Sequence, residues 1–188
     1  MNNNIHLEAV KKHGLALGYI TDQTEDICLV AVRQNGWALD FVKEPTEHIC
    51  TVAVQRDGSA LKYVKNQTEK ICLEAVKQNG NALPYVKNQT KDICLAAVRQ
   101  EGWVIKTLTD QTEELCIEAV RQNGLALKFI DIQTENICLE AVRQNGYSLA
   151  YVIDQTENIC LAAVKQDAQA FKHIRDPAFK QKMERLFL

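Results

Sequence analysis

The sequence predicts an all-α fold: an α-solenoid of eight 22-residue helix-turn-helix repeats with a C-terminal capping helix. Three observations predict it. The seven cysteines, Cys28, Cys50, Cys72, Cys94, Cys116, Cys138 and Cys160, follow one another at intervals of 22 residues. Seven of the eight glycines, Gly14, Gly36, Gly58, Gly80, Gly102, Gly124 and Gly146, keep the same interval. The apolar residues between these markers recur at helical rather than alternating spacing. A single 22-residue hairpin buries too little surface to stand alone, so the repeats must stack and share one core.

The repeats occupy residues 5–26, 27–48, 49–70, 71–92, 93–114, 115–136, 137–158 and 159–180. They abut without linkers, so residues 1–188 read as one repeat domain. The first element of each repeat is a helix of about twelve residues, near the usual mean. Its start carries Asp or Asn, then Gln or Pro, Thr and Glu, as in Asp22-Gln-Thr-Glu25 and Asp154-Gln-Thr-Glu157. The Asp or Asn is expected to cap the helix, with the Glu reaching back to the cap amide. Pro45 and Pro177 then follow the cap, where no N–H is needed. Ile132 breaks the pattern and predicts a frayed start in its repeat. The Asn-Gly pair is expected to end the helix, with glycine in the left-handed conformation. On a helical wheel Ile71, Cys72, Leu73, Ala75 and Val76 form a broad apolar arc. Ala and Val hold their positions in every repeat, so neighbouring helices can approach closely. This layer is expected on the concave side of the stack.

The second element is a helix of six or seven residues, such as Ala60-Leu-Lys-Tyr-Val64. Pro84 is expected in its first turn. The fifth repeat carries Thr107 where most others carry Tyr or Phe. The last repeat has Ala168 for glycine and His173 for the aromatic, as a terminal repeat should. Asp176-Pro177 opens the closing segment, 177–188, in which Met183, Leu186 and Phe187 are expected to cover the final core.

The core Ile-Cys-Leu-Glu-Ala-Val-Lys-Gln-Asn-Gly, with Ala-Leu-x-Tyr-Val and Gln-Thr-Glu, resembles the short helical repeat known as domain of unknown function 4116. The resemblance covers nearly the whole chain. It implies an all-helical repeat protein and no particular activity.

Apolar residues make up 46% of the chain and charged residues 24%, which excludes a disordered polyampholyte. The net charge of −2 gives no general attraction for nucleic acid or anionic membrane. No apolar run is long enough to span a bilayer. The start, Met-Asn-Asn-Asn, lacks the features of an export signal, so reduced thiols in the cytoplasm are expected. The cysteines lack the close spacing of metal ligands and read as small buried residues. His6, His13, His48 and His173 align with no nucleophile or carboxylate pair, so no enzyme and no cofactor are implied.

Two sets of residues are candidates for binding. Residues that vary among the repeats, Trp37, Trp103, Tyr147, Leu125, Glu118 and Glu140, suit a protein or peptide partner on an extended scaffold. A basic column with Arg33, Lys77, Arg99, Arg121 and Arg143 runs beside Gln34, Gln78, Gln100, Gln122 and Gln144. That ladder suits single-stranded nucleic acid, read one repeat at a time. It equally suits helix C-termini, where the dipole favours cations by about 0.3–1 kcal/mol. A purely structural or self-assembling element is the third alternative.

Overall fold

A computed structural model describes residues 2–187, which are all-α with no strand among them. The α-helices are α1 (Asn2–Lys12), α2 (Glu25–Gln34), α3 (Glu47–Arg56), α4 (Glu69–Gln78), α5 (Lys91–Gln100), α6 (Glu113–Gln122), α7 (Glu135–Gln144), α8 (Glu157–Gln166) and α9 (Pro177–Phe187). Between them lie short 3-10 helices: η1 (Gly14–Tyr19), η2 (Gly36–Phe41), η3 (Gly58–Tyr63), η4 (Gly80–Tyr85), η5 (Gly102–Thr107), η6 (Gly124–Phe129), η7 (Gly146–Tyr151) and η8 (Ala168–His173). The chain forms two compact units, Met1–Gln100 and Glu101–Leu188. Within each unit the elements stack in chain order, α-helix on α-helix and 3-10 helix on 3-10 helix.

The expected repeat is present, with local differences. The second helix is 3-10 rather than α. Its buried residues recur at threes, as Leu39 and Val42 do, and the Val42 N–H donates to Leu39 O. That period and bond belong to the 3-10 helix, which serves here as a six-residue connecting piece. No loop separates the two helices: one extended residue, Asn35 at φ −148 and ψ 113, ends α2 and caps η2 by accepting from Trp37 N. Pro84 is the fifth residue of η4, not in its first turn, and lies exposed.

The α-helix cap is the threonine, not the Asp or Asn two residues earlier. Thr24 Oγ1 accepts from Ile27 N at 3.4 Å, and the threonines of later repeats act alike. Helices α2 to α8 therefore begin at the residue after the threonine, Glu in all but α5, and run ten residues. Pro45 precedes the cap, while Pro177 does follow one, because Asp176 accepts from the N–H groups of Ala178 and Phe179. Ile132 has no part in capping, and Thr134 holds α7 as tightly as its counterparts hold theirs.

No described glycine has a positive φ. Glycine is needed for space. A Cβ on Gly14 would stand 2.5 Å from Ala31 O, and one on Gly58 would stand 2.4 Å from Ala75 O. The glycines that start η1, η2, η3, η5, η6 and η7 abut the alanine of the next α-helix, so the alanine column does mark a close approach.

Ile27, Cys28, Ala31 and Val32 are buried, as are Ala38, Leu39 and Val42, and the later repeats copy them. Each buried Leu, Ile or Val contributes about 1.5–3 kcal/mol. At the end of the second unit Met183 is fully buried, whereas Leu186 stays exposed. The side chain of Phe187, expected to help close the core, lies outside the described residues, as does Leu188.

Candidate interaction surface

The repeated polar residues are bonded inside the array. The glutamine before each threonine joins two repeats. Gln23 Nε2 donates to Phe41 O at 2.9 Å, and its Oε1 accepts from Lys43 N at 3.1 Å. Gln67, Gln111, Gln133 and Gln155 make the same pair of bonds to the repeat that follows. In three repeats the cysteine thiol also donates to this glutamine, at 3.7–3.8 Å. The Glu once expected to close its own capping box reaches forward instead. Glu69, Glu113 and Glu135 accept from the hydroxyls of Thr90, Thr134 and Thr156.

The second glutamine column is also occupied. Gln34 Oε1 accepts from Gly14 N at 2.7 Å, and Gln78, Gln100, Gln122, Gln144 and Gln166 do likewise one repeat on. Each bond spans 20 residues of sequence. This column is half of the nucleic-acid ladder, and its carbonyl oxygens already face the preceding repeat. The cationic half is exposed. Arg121 Nε pairs with Glu140 at 2.7 Å, and Arg143 pairs with the same carboxylate at 3.1 Å. Glu118 lies 3.7 Å from Arg121. The hydrogen bond from Arg121, then its charge and that of Arg143, hold the Glu140 carboxyl below the usual carboxylate range. Arg33, Lys77 and Arg99 are exposed along the same helix ends.

Both glutamine links are missing at one junction. Pro45 replaces the first kind between the second and third repeats, and Arg56 stands where the second kind would meet Gly36. Trp37 bridges this junction. Its indole N–H donates to Asp57 Oδ2 at 2.5 Å, and its ring meets Tyr63 at 6.4 Å. Lys62 Nζ lies 4.1 Å from the ring centroid. Trp37 is 43% exposed, so it is as much a staple as a free anchor.

In the second unit the 3-10 layer carries a connected aromatic surface. Half-buried Trp103 packs on Phe129 at 5.3 Å. Exposed Tyr147 meets Tyr151 at 6.1 Å and His173 at 4.6 Å. Leu125 lies half-buried in the same layer. Lys106 and Lys128 stand 6.0 and 5.8 Å from Phe129, Lys128 5.9 Å from Tyr151, and Lys172 5.8 Å from Tyr147. These lysines were not singled out in the sequence. The signal was there: their column varies, with Gly18, Asp40 and Pro84 among its members, beside a column that is mostly aromatic. The α layer offers a shallower feature, a groove of about 580 Å³ lined by Leu139, Leu161, Ala162, Arg143 and Lys165.

The seven cysteines are free and buried. Burial pushes every thiol up, and those of Cys116, Cys138 and Cys160 reach about 11. Among the described residues no group of three or more His, Cys, Asp or Glu side chains could hold a metal ion. No helix among them is long and apolar enough to cross a membrane.

The repeat agrees with the comparison to known families. The model of a domain of unknown function, DUF4116, matches residues 2–45, 47–91, 68–111, 112–156 and 134–179. The chain belongs to this family. Successive matches overlap at 68–91 and 134–156, so the DUF4116 model spans about two of the 22-residue repeats. No curated protein matches the chain, and no solved structure does.

Proposed function

We propose that this DUF4116 chain is a non-enzymatic scaffold that binds a protein or peptide partner through side chains that differ from repeat to repeat. One observation carries the reading. The glutamines, threonines, glycines and several first-turn glutamates of the repeat are engaged in stacking, so that, the cationic column aside, much of the accessible side-chain surface falls to positions that vary. Trp103, Leu125 and Tyr147 supply aromatic and aliphatic area there, the kind of side chain that dominates interface energetics. Glu118 and Glu140, on the α layer, are tied to arginines and are weaker anchors. Reduced, buried thiols suit work in a reducing compartment such as the cytoplasm.

Affinity capture from the source cell, with and without nuclease, tests this. A protein partner retained after nuclease is expected, and a Trp103→Ala, Tyr147→Ala variant with an unchanged helical spectrum should lose it. Capture of nucleic acid alone, abolished by nuclease, refutes the scaffold and favours the Arg33, Lys77, Arg99, Arg121 and Arg143 column.

A further inference from the structure

We infer that the 3-10 face of the second unit takes an acidic peptide segment. Its carboxylates would meet Lys106, Lys128 and Lys172, and its apolar side chains would lie along Trp103, Phe129 and Tyr147. The inference rests on the scaffold reading and names the partner's chemistry and place.

Charge decides first. Lys106, Lys128 and Lys172 are exposed, and each is held against an aromatic ring rather than a carboxylate. The cations of the α layer differ: Arg121 and Arg143 are already paired with Glu118 and Glu140. Lys165 is also exposed, beside the α-layer groove, but the aromatic face gathers three cations of this unit, Lys106, Lys128 and Lys172, in one layer. Glu113, Glu135 and Glu157 stand at α-helix starts, bonded to the next repeat's threonine or to Lys182. Such a face attracts a ligand with a few negative charges interleaved with apolar groups.

Ring geometry favours a peptide over single-stranded nucleic acid. Bases bind by stacking on open ring faces. Here the rings pack edge to face, at 67° for Trp103 with Phe129 and 83° for Tyr147 with His173. Phe129 has two lysines against it, and Tyr151 and Tyr147 have one each. These cations occupy the surface that a base would need. A polynucleotide would also bring a phosphate with every nucleotide, against three lysines and a chain of net charge −2.

The test is fluorescence anisotropy with three labelled probes at low salt: a peptide alternating Asp and Phe, one alternating Lys and Phe, and oligouridylate. The Asp/Phe peptide should bind the unaltered chain. It should bind a Lys106→Glu, Lys128→Glu, Lys172→Glu variant about tenfold or more weakly, as loss of three exposed ion pairs implies. The Lys/Phe peptide should show the reverse preference. The three lysines are exposed, so an unchanged melting temperature is expected and confirms that the fold is intact. Equal binding of the Asp/Phe peptide to both proteins, no binding to either, or preferential binding of oligouridylate through these lysines overturns the inference. If the charge-reversed variant still captures the cellular protein partner, the scaffold stands and only this placement fails.

Discussion

Gly58→Ala tests the reason for glycine at the start of the 3-10 helices η1 to η7. A left-handed cap and a close approach both demand glycine, but they differ in what else they tolerate. The added Cβ would lie 2.4 Å from Ala75 O and 3.0 Å from Gln78 Oε1, whereas ordinary contact begins at 3.4 Å. Ala75 O is backbone in the middle of α4, so it cannot rotate away. Relief requires α4 to withdraw, which strains the bond from Gly58 N to Gln78 Oε1 at 2.6 Å. Overpacking of this kind costs about 1–3 kcal/mol. The weakened bond adds about 1 kcal/mol. Loss of glycine's freedom in the unfolded chain returns about 0.4–1 kcal/mol, since no strained φ opposes alanine here. The net destabilisation is about 1–3.6 kcal/mol, a drop in Tm of roughly 4–29 °C for a unit of this size. Urea and thermal unfolding followed by circular dichroism measure it. Gly58→Asn is the companion, because Asn is the best substitute for glycine in a left-handed cap. It should do at least as much harm as alanine. The array contains a natural control in Ala168, which is exposed and therefore tolerates its methyl group. A Gly58→Ala protein that melts at or above the parent, or an Asn variant that recovers most of the loss, refutes the close-approach argument.

Arg56→Gln should restore the missing acceptor for Gly36 N–H and stabilise by about 1 kcal/mol, read as a higher urea midpoint; no gain would mean that the Trp37–Asp57 bond already suffices. Ser148 Oγ is fully buried without a hydrogen-bond partner, where most other repeats have alanine, so Ser148→Ala should stabilise by about 1 kcal/mol in the same assay. The thiols should alkylate slowly in the native protein at pH 8 and all seven rapidly in denaturant, because burial keeps them protonated. Their folded-state pKa is raised, so this contribution to stability is fully present below pH 9 and is lost as pH rises toward about 11; a melting temperature flat across that window would contradict it.

The repeat boundaries and the buried Ile, Cys, Ala and Val were legible because each is a burial decision repeated in every unit. Cap identity was not legible from type alone. Asp, Asn and Thr all make good caps, and Asp22-Gln-Thr-Glu25 contains two candidates two residues apart. Inter-repeat bonding decides between them: the glutamine must reach Phe41 O and Lys43 N, which places the helix start after Thr24. The glycine column was legible as a requirement but not as a mechanism, since the atom that excludes a Cβ belongs to the next repeat. The 3-10 helix escaped for a similar reason. Six residues fit both helical periods, and the Leu39 to Val42 spacing separates them only when both are known to be buried.

The same logic bears on where binding specificity resides. A residue type present in every repeat reads as a ladder aimed at a repetitive ligand, and the Arg–Gln columns invite that reading. The structure gives Gln34, Gln78, Gln100, Gln122, Gln144 and Gln166 to the glycine amides of the preceding repeats. A base could recruit one of these oxygens only by breaking a part-buried bond that joins two repeats. Buried donors left without partners cost about 1–3 kcal/mol each, so reading several bases this way would spend stability at every step. Repetition in this array is therefore a property of stacking. On the scaffold reading, discrimination between partners would come from columns that change along the chain, and the column running Lys106, Lys128, Ala150 and Lys172 beside the aromatic rings is one that does.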